Sequence, residues 1–220
     1  LYPGFVTIGR ETGLPLELYE LGASAGLNLF PDRYCVTLGS REFGPKDAGV
    51  RLAPLWSGNE LDGPPPVIVG RRGCDLNPLD LTNEEERARM RAYIWPDQPD
   101  RLTRIDAAIA TALSDPPELD RCDAGDWVDR IFGADPVAGR ARVLFHSIAF
   151  QYLPTETQTR IAGRLQDAGS HATAATPLAW LAFEFVGGME PELTLRLWPG
   201  GETRCLATAD PHVRAIRWIG

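Results

Sequence analysis

A chain of 220 residues, 44% hydrophobic and 24% charged, can bury one substantial core and is too apolar to remain disordered. Its formal charge of −8 argues against a duplex nucleic-acid binder, which would show a basic face, but leaves room for a local basic pocket, since its basic residues are arginines apart from Lys46. The longest nearly uncharged stretch, Ala172 to Phe183, falls short of the about 20 apolar residues that cross a bilayer, so no membrane partner is expected.

Strand and helix signals alternate along the chain, which predicts one α/β domain over residues 1–220 with a mostly parallel sheet. The first apolar run, Leu16 to Leu21, leads into Gly22-Ala-Ser-Ala-Gly26. From Arg33 to Pro66 the composition turns to Gly and Pro with short β-like pieces, the pattern of a hairpin-like insertion. Val67 to Val69 reads as a short buried strand ending in Gly73-Cys-Asp-Leu-Asn-Pro78. Thr82 and Glu85 spell a capping box ahead of one helix. Leu102, Ile105, Ile109 and Ala112 share one face of a second helix, stopped by Pro116-Pro117. Leu119 to Cys122 is a weak strand, followed by a short helix from an Asp126 cap to Phe132. Val143 to Ile148 is a continuous apolar run typical of a central parallel strand. Thr155 and Gln158 cap a further helix closed by Gly169. Three strands finish the chain, Leu178 to Phe185, Leu193 to Trp198 and Val213 to Trp218, and their short connections predict an antiparallel end to the sheet.

Cys35, Cys74, Cys122 and Cys205 contain no C-x-x-C pair, and His146, His171 and His212 are too scattered for a zinc spacing. Free thiols and the lack of a leader point to the cytoplasm. The sequence starts at Leu1 rather than Met, and a preceding segment is expected.

The segment Glu20-Leu-Gly22-Ala-Ser24-Ala-Gly26-Leu-Asn28 carries the main chemical signal. A strand ending in a carboxylate and opening into small residues lets a nucleotide approach the backbone, with Gly22 making the turn and Gly26 removing a Cβ. Backbone N–H groups of a following helix would face polar ligand groups. An acidic-x-Gly-x-x-x-Gly after a strand resembles the first motif of S-adenosylmethionine (SAM)-dependent methyltransferases. The same letters spell Gly-x-Ser-x-Gly, the nucleophile elbow of α/β-hydrolases, in which Ser24 would work with Asp210 and His212. A third reading gives the glycines only a packing role. Against the hydrolase, few residues precede Ser24 and no oxyanion-hole loop is visible among them.

A nucleotide fold places a second acid at the end of the next strand to accept ribose hydroxyls, and Asp75 is the candidate, although it lies farther along than the usual spacing. Asp123, followed by the small Ala124, is a candidate for the adenine amino group. His146, at the carboxyl end of the central strand, is the candidate general base, with a buried core histidine as the alternative. Trp95-Pro-Asp97-Gln98 and Trp198-Pro-Gly-Gly201 read as rigid aromatic loops, either pocket walls or surface turns around a buried Trp.

Taken together, Glu20 to Leu29, Arg72 to Asp80, Trp95 to Gln98, Phe145 to Ser147 and Leu197 to Gly201 resemble the signature stretches of an uncharacterised bacterial family. The resemblance implies a Rossmann-like, methyltransferase-type fold and a helical N-terminal region ahead of this chain. Such families often end in His-Gly where this chain has His212-Val213, and the Asn/Asp-Pro-Pro-Tyr motif of amino-group methyltransferases is missing. The expectation is a SAM-dependent methyltransferase or a degenerate relative, with its acceptor unread. Glu20, Gly22, Ser24, Gly26, Asn28, Asp75, Asp123 and Ala124 would hold the cofactor and His146 would act as base. A serine hydrolase on Ser24 and a non-catalytic nucleotide-binding module are the alternatives.

Overall fold

The computed structural model describes residues 1–220. A helix α1 (Tyr2–Thr12) opens the chain and leads into β1 (Leu16–Leu21). Nothing in the periodicity signals α1, whose first turn holds Pro3 and Gly4. It is secured by tertiary packing, with Phe5, Val6 and Ile8 at most 1% exposed and Phe5 set edge-on to Phe145.

The stretch after β1 forms β2 (Cys35–Leu38), β3 (Arg41–Phe43), β4 (Arg51–Leu52) and β5 (Leu55–Ser57). The first three make a small separate sheet in the order β3-β2-β4. The expected hairpin is therefore the β2–β3 pair, while β5 crosses to the main sheet. Then come β6 (Ile68–Asp75), α2 (Glu84–Ala92), α3 (Pro99–Ser114), β7 (Glu118–Arg121) and α4 (Ala124–Phe132). The chain ends with β8 (Ala141–Ser147), α5 (Thr155–Ser170), β9 (Leu178–Phe185), β10 (Pro191–Trp198), β11 (Thr203–Ala209) and β12 (Ala215–Trp218).

The main sheet has nine strands in the order β7-β6-β1-β8-β9-β10-β11-β12-β5. From β7 to β9 all neighbours are parallel, and from β9 to β12 all are antiparallel. The chain winds outward from β1 through β6 to β7, then returns across β1 to β8 and β9. The direction of winding thus reverses between β1 and β8, and crevices form at the carboxyl ends of strands at such a point. Side-chain alternation divides the interior between the two faces of the sheet. Leu16, Leu18, Val143 and Phe145 pack with α1, α3 and the small sheet, whereas Leu21, Leu144 and Leu178 pack with α4 and α5.

Several boundaries depart from the sequence expectation for local reasons. β6 runs on to Asp75 because Gly73 lets it approach β1; a Cβ there would sit 2.6 Å from that of Ala23. Asn83, not Thr82, caps α2, accepting from the N–H groups of Glu85 and Glu86, because Asp80 already holds the Thr82 hydroxyl. Asp123, not Asp126, caps α4. α5 has no side-chain cap, since the Gln158 amide turns back to the Leu153 carbonyl, and the helix runs one residue past Gly169. Four strands rather than three end the chain. β11 lies between β10 and β12, so Leu193 to Trp198 and Val213 to Trp218 are not paired with each other.

Candidate functional site

The loop after β1 is built on three left-handed residues, Gly22 (φ 65°), Ser24 (φ 52°) and Gly26 (φ 70°). No α-helix follows it. Two 3-10 turns, Leu27–Leu29 and Pro31–Arg33, take the place of the expected helix, and the chain then enters the small sheet. Asp75 ties this loop to the end of β6. Its Oδ2 accepts the Ser24 N–H at 2.9 Å and its Oδ1 accepts the Asn77 N–H at 2.9 Å. The backbone reinforces the tie, with Ala23 N–H on the Cys74 carbonyl and Leu79 N–H on that of Ser24. The glycines have a packing role: a Cβ on Gly26 would lie 2.9 Å from Pro117, and one on Gly22 2.8 Å from the Cβ of Ala149. Gly22 is nonetheless exposed at the sheet edge.

Glu20, the last acid of β1, is 2% exposed. Its Oε1 accepts from the Asn28 amide at 2.8 Å, and its Oε2 has no partner. Burial pushes its carboxyl up to about 8, against the Asn28 hydrogen bond and with help from the Asp75 charge. Asp123 places Oδ1 on the N–H groups of Gly125 and Asp126 at 2.8 and 3.2 Å, and Ala124 behind it is buried. Glu20, Asp75 and Asp123 thus stand at or just beyond the ends of three adjacent strands.

His146 is 1% exposed and both of its ring nitrogens are engaged. The indole N–H of Trp180 donates to Nε2 at 2.9 Å, so Nε2 is an acceptor and the proton sits on Nδ1, which meets Glu184 Oε1 at 2.7 Å. The same Oε1 accepts the N–H groups of Ala149 and Phe150 at 2.9 and 3.0 Å, and Phe150 stacks on the imidazole at 4.8 Å. Burial pushes the Glu184 carboxyl up, but the His146 bond and the two backbone donors outweigh it and hold it below its ordinary range. His146 therefore sits as a core histidine that shapes the loop after β8. Glu184 has no counterpart among the sequence candidates; its signal is a lone acid in the apolar run Leu178–Phe185.

Across the same carboxyl edge opens a cleft of about 690 Å³, within the range of small-molecule sites. Asn28 reaches it from the 3-10 turn after β1 and Ser147 from the end of β8, and Asp97 and Gln98 wall it from the loop before α3. Trp95 of that loop is turned to solvent. His212, Val213 and Arg214 close it on the far side, so that His212 borders the cleft. Val213 has φ 53°, a backbone state that a β-branched residue rarely adopts and that suits the glycine often found there in such families. Ser24, Asp75, Asp123 and His146 are not among the cleft walls.

The triad Ser24, Asp210 and His212 is not assembled. Asp210 commits its carboxylate to the backbone N–H groups of His212, Arg214 and Ala215, and the His212 ring has no hydrogen bond. Trp198-Pro-Gly-Gly201 lies at the opposite, amino edge, where Trp198 is buried against Gly169 and Gly201.

The family model for uncharacterised proteins conserved in bacteria, DUF2332, matches residues 1–218. The chain belongs to DUF2332. No curated protein and no solved structure matches it. As a DUF2332 chain it has a large mixed α/β sheet and no helix long and apolar enough to cross a membrane. Four of the five stretches that carry the DUF2332 resemblance meet at the carboxyl edge, around Glu20, Asp75, Gln98 and Ser147; the Trp198 stretch is a packing device.

Proposed function

We propose that this protein is a SAM-binding, methyltransferase-type Rossmann protein that holds the cofactor over β1, β6 and β7 and its acceptor in the adjoining cleft. The observation that carries the reading is the reversal of winding between β1 and β8, with Glu20, Asp75 and Asp123 at successive strand ends on that edge. Ligands of doubly wound sheets sit at this point, and an acid at the second strand end suits ribose hydroxyls. The residues fit such a ligand. Glu20 has an unpartnered buried oxygen and Gly22 an exposed backbone, while the carboxylates of Asp75 and Asp123 keep lone pairs free beyond their backbone bonds.

In this reading Asp75 accepts from the ribose and Asp123 from the adenine amino group, with Ala124 leaving room for the ring. Gly22 presents its exposed backbone, Ser24 and Gly26 hold the turn beside it, and Asn28 links Glu20 to the cleft wall. Bound SAM supplies an electrophilic methyl group on a sulfonium. Asn28 and Ser147 orient the acceptor, His146 positions the Ser147–Phe150 loop, and His212 is the histidine free to take a proton from the cleft. Titration calorimetry with SAM, its demethylated product and NAD tests the proposal. Binding of the first two is expected, with Asp75→Ala weakening it by about 1.5–3 kcal/mol through loss of charged hydrogen bonds. No heat with either ligand overturns it.

A further inference from the structure

The cleft beside this edge has walls of two kinds. Its apolar part is made by Phe5 of α1, Val36 and Leu38 of β2, Phe183 of β9 and Ile216 of β12. All five are buried and carry no polar side-chain atom. Its polar part gathers Arg101 and Arg104 from α3 with His212 and Arg214 from the turn before β12. In a chain of net charge −8, the three arginines of this wall outnumber its two carboxylates, Asp97 and Asp100.

The partners of these groups show which charges remain available. Arg104 makes no hydrogen bond and no ion pair, and Arg101 meets only the uncharged Gln98 amide oxygen, at 2.7 Å. The His212 ring is without a partner, and Arg214 reaches Asp210 at 3.4 Å. Asp100 lies in the first turn of α3, where the positive end of the helix dipole favours an acid. Arg101 lies in that first turn and Arg104 in the next, and neither is paired with a protein carboxylate. Both guanidinium groups are exposed beside the cleft and open to a ligand in it.

We propose that the cleft binds an amphipathic carboxylate, with an alkyl or arylalkyl body against Phe5, Val36, Leu38 and Phe183 and the carboxylate on Arg104 and Arg101. Its role as methyl acceptor rests on the function proposed above; its binding does not. A guanidinium fork matches a carboxylate in two parallel hydrogen bonds, and the apolar walls take the body of the ligand.

The test is a fluorescence titration of the full chain with dansyl-tagged undecanoate, in the absence of SAM, followed by displacement with laurate, dodecanol and dodecylamine. Saturable binding is expected, with laurate displacing the probe at a concentration at least about tenfold lower than either of the others. Arg104→Ala, an exposed position whose thermal unfolding serves as the fold control, should weaken laurate by about ten- to a hundredfold and leave dodecanol unchanged. Absence of saturable binding, equal displacement by dodecylamine, or an unchanged laurate affinity in Arg104→Ala each overturns the inference. Calorimetry with SAM on the same preparation separates the two claims. Laurate bound without SAM supports this inference and removes the methyl-transfer reading, whereas SAM bound without laurate does the reverse.

Discussion

Replacing Glu20 by Gln tests the most unusual ionisable group of the central strand. The substitution keeps the oxygen that accepts from Asn28 and exchanges the unpartnered Oε2 for a neutral amide nitrogen. In the folded chain the Glu20 carboxyl binds its proton more tightly than in the unfolded chain, with its value raised from 4.5 to about 8. Its contribution to stability is therefore most favourable below pH 4.5 and is lost as pH rises through about 8. At about 1.4 kcal/mol for each tenfold change in proton affinity, the full loss is about 5 kcal/mol. The introduced amide adds a cost of its own, about 1–3 kcal/mol for hydrogens left without acceptors, but that cost does not vary with pH. The difference in unfolding free energy between wild type and Glu20→Gln, from urea denaturation at pH 5 to 8.5, should thus move steadily in favour of the variant. Parallel curves across that window would refute the argument and mean that Glu20 is hydrated when the protein is folded.

Glu184→Ala removes the acceptor of three donors at once, His146 Nδ1–H and the N–H groups of Ala149 and Phe150, and should cost about 3–5 kcal/mol in urea unfolding, with faster amide exchange at residues 149 and 150. The Glu184 carboxyl is held below its ordinary 4.5, so this contribution should be present above pH 4.5 and shrink as pH falls through the folded value. Two glycines of α5 should respond oppositely to alanine. Gly163→Ala meets nothing within 4 Å and should raise stability by about 0.5–1 kcal/mol, whereas a Cβ on Gly169 lies 2.5 Å from the Trp198 indole and should destabilise by about 1–3 kcal/mol. Thermal unfolding of the two variants side by side decides the matter.

The parts of the fold visible in the sequence are those with a strong period or a continuous apolar run. β8 is an example: Ala141 to His146 are all buried, and the apolar run Val143-Leu-Phe145 at its centre has no alternation, as in a strand covered on both faces. α3 is another, with Ile109 and Ala112 buried as their spacing predicts. β11 is hidden because Thr203 to Ala209 alternates weakly and two of its inward residues are alanines. α1 is hidden because its helicity is imposed by tertiary contacts. Among the site residues, Glu20 is readable as a carboxylate at a strand end, since the apolar run stops at Gly22, whereas Asp75 is readable only from its motif because β6 runs through Gly70 and Gly73 to reach it. Their internal commitments, Asp75 to the Ser24 amide and Glu20 to Asn28, depend on side-chain pairings formed only in the folded loop and leave no local trace. The cleft is harder still. Asp97, Arg104 and His212 come from separate segments, and only the folding of the small sheet against α1 and α3 gives them a common space.

The position of β1 also bears on the order in which the protein can be built as it is synthesised. Its two neighbours come much later in the chain: Leu16 pairs with Ile68 on one side and with Ala141 on the other. A nascent chain that has just produced the central strand has no partner for either edge, and the second edge stays open until most of the polypeptide has emerged. β5 waits longer still, since its partner is β12. Such distant pairings pay their loop-closure entropy before any contact is gained, which makes folding slow and leaves open edges vulnerable to association meanwhile. The small sheet, whose strands lie close together in sequence, is the element able to form early and occupy the chain during that interval.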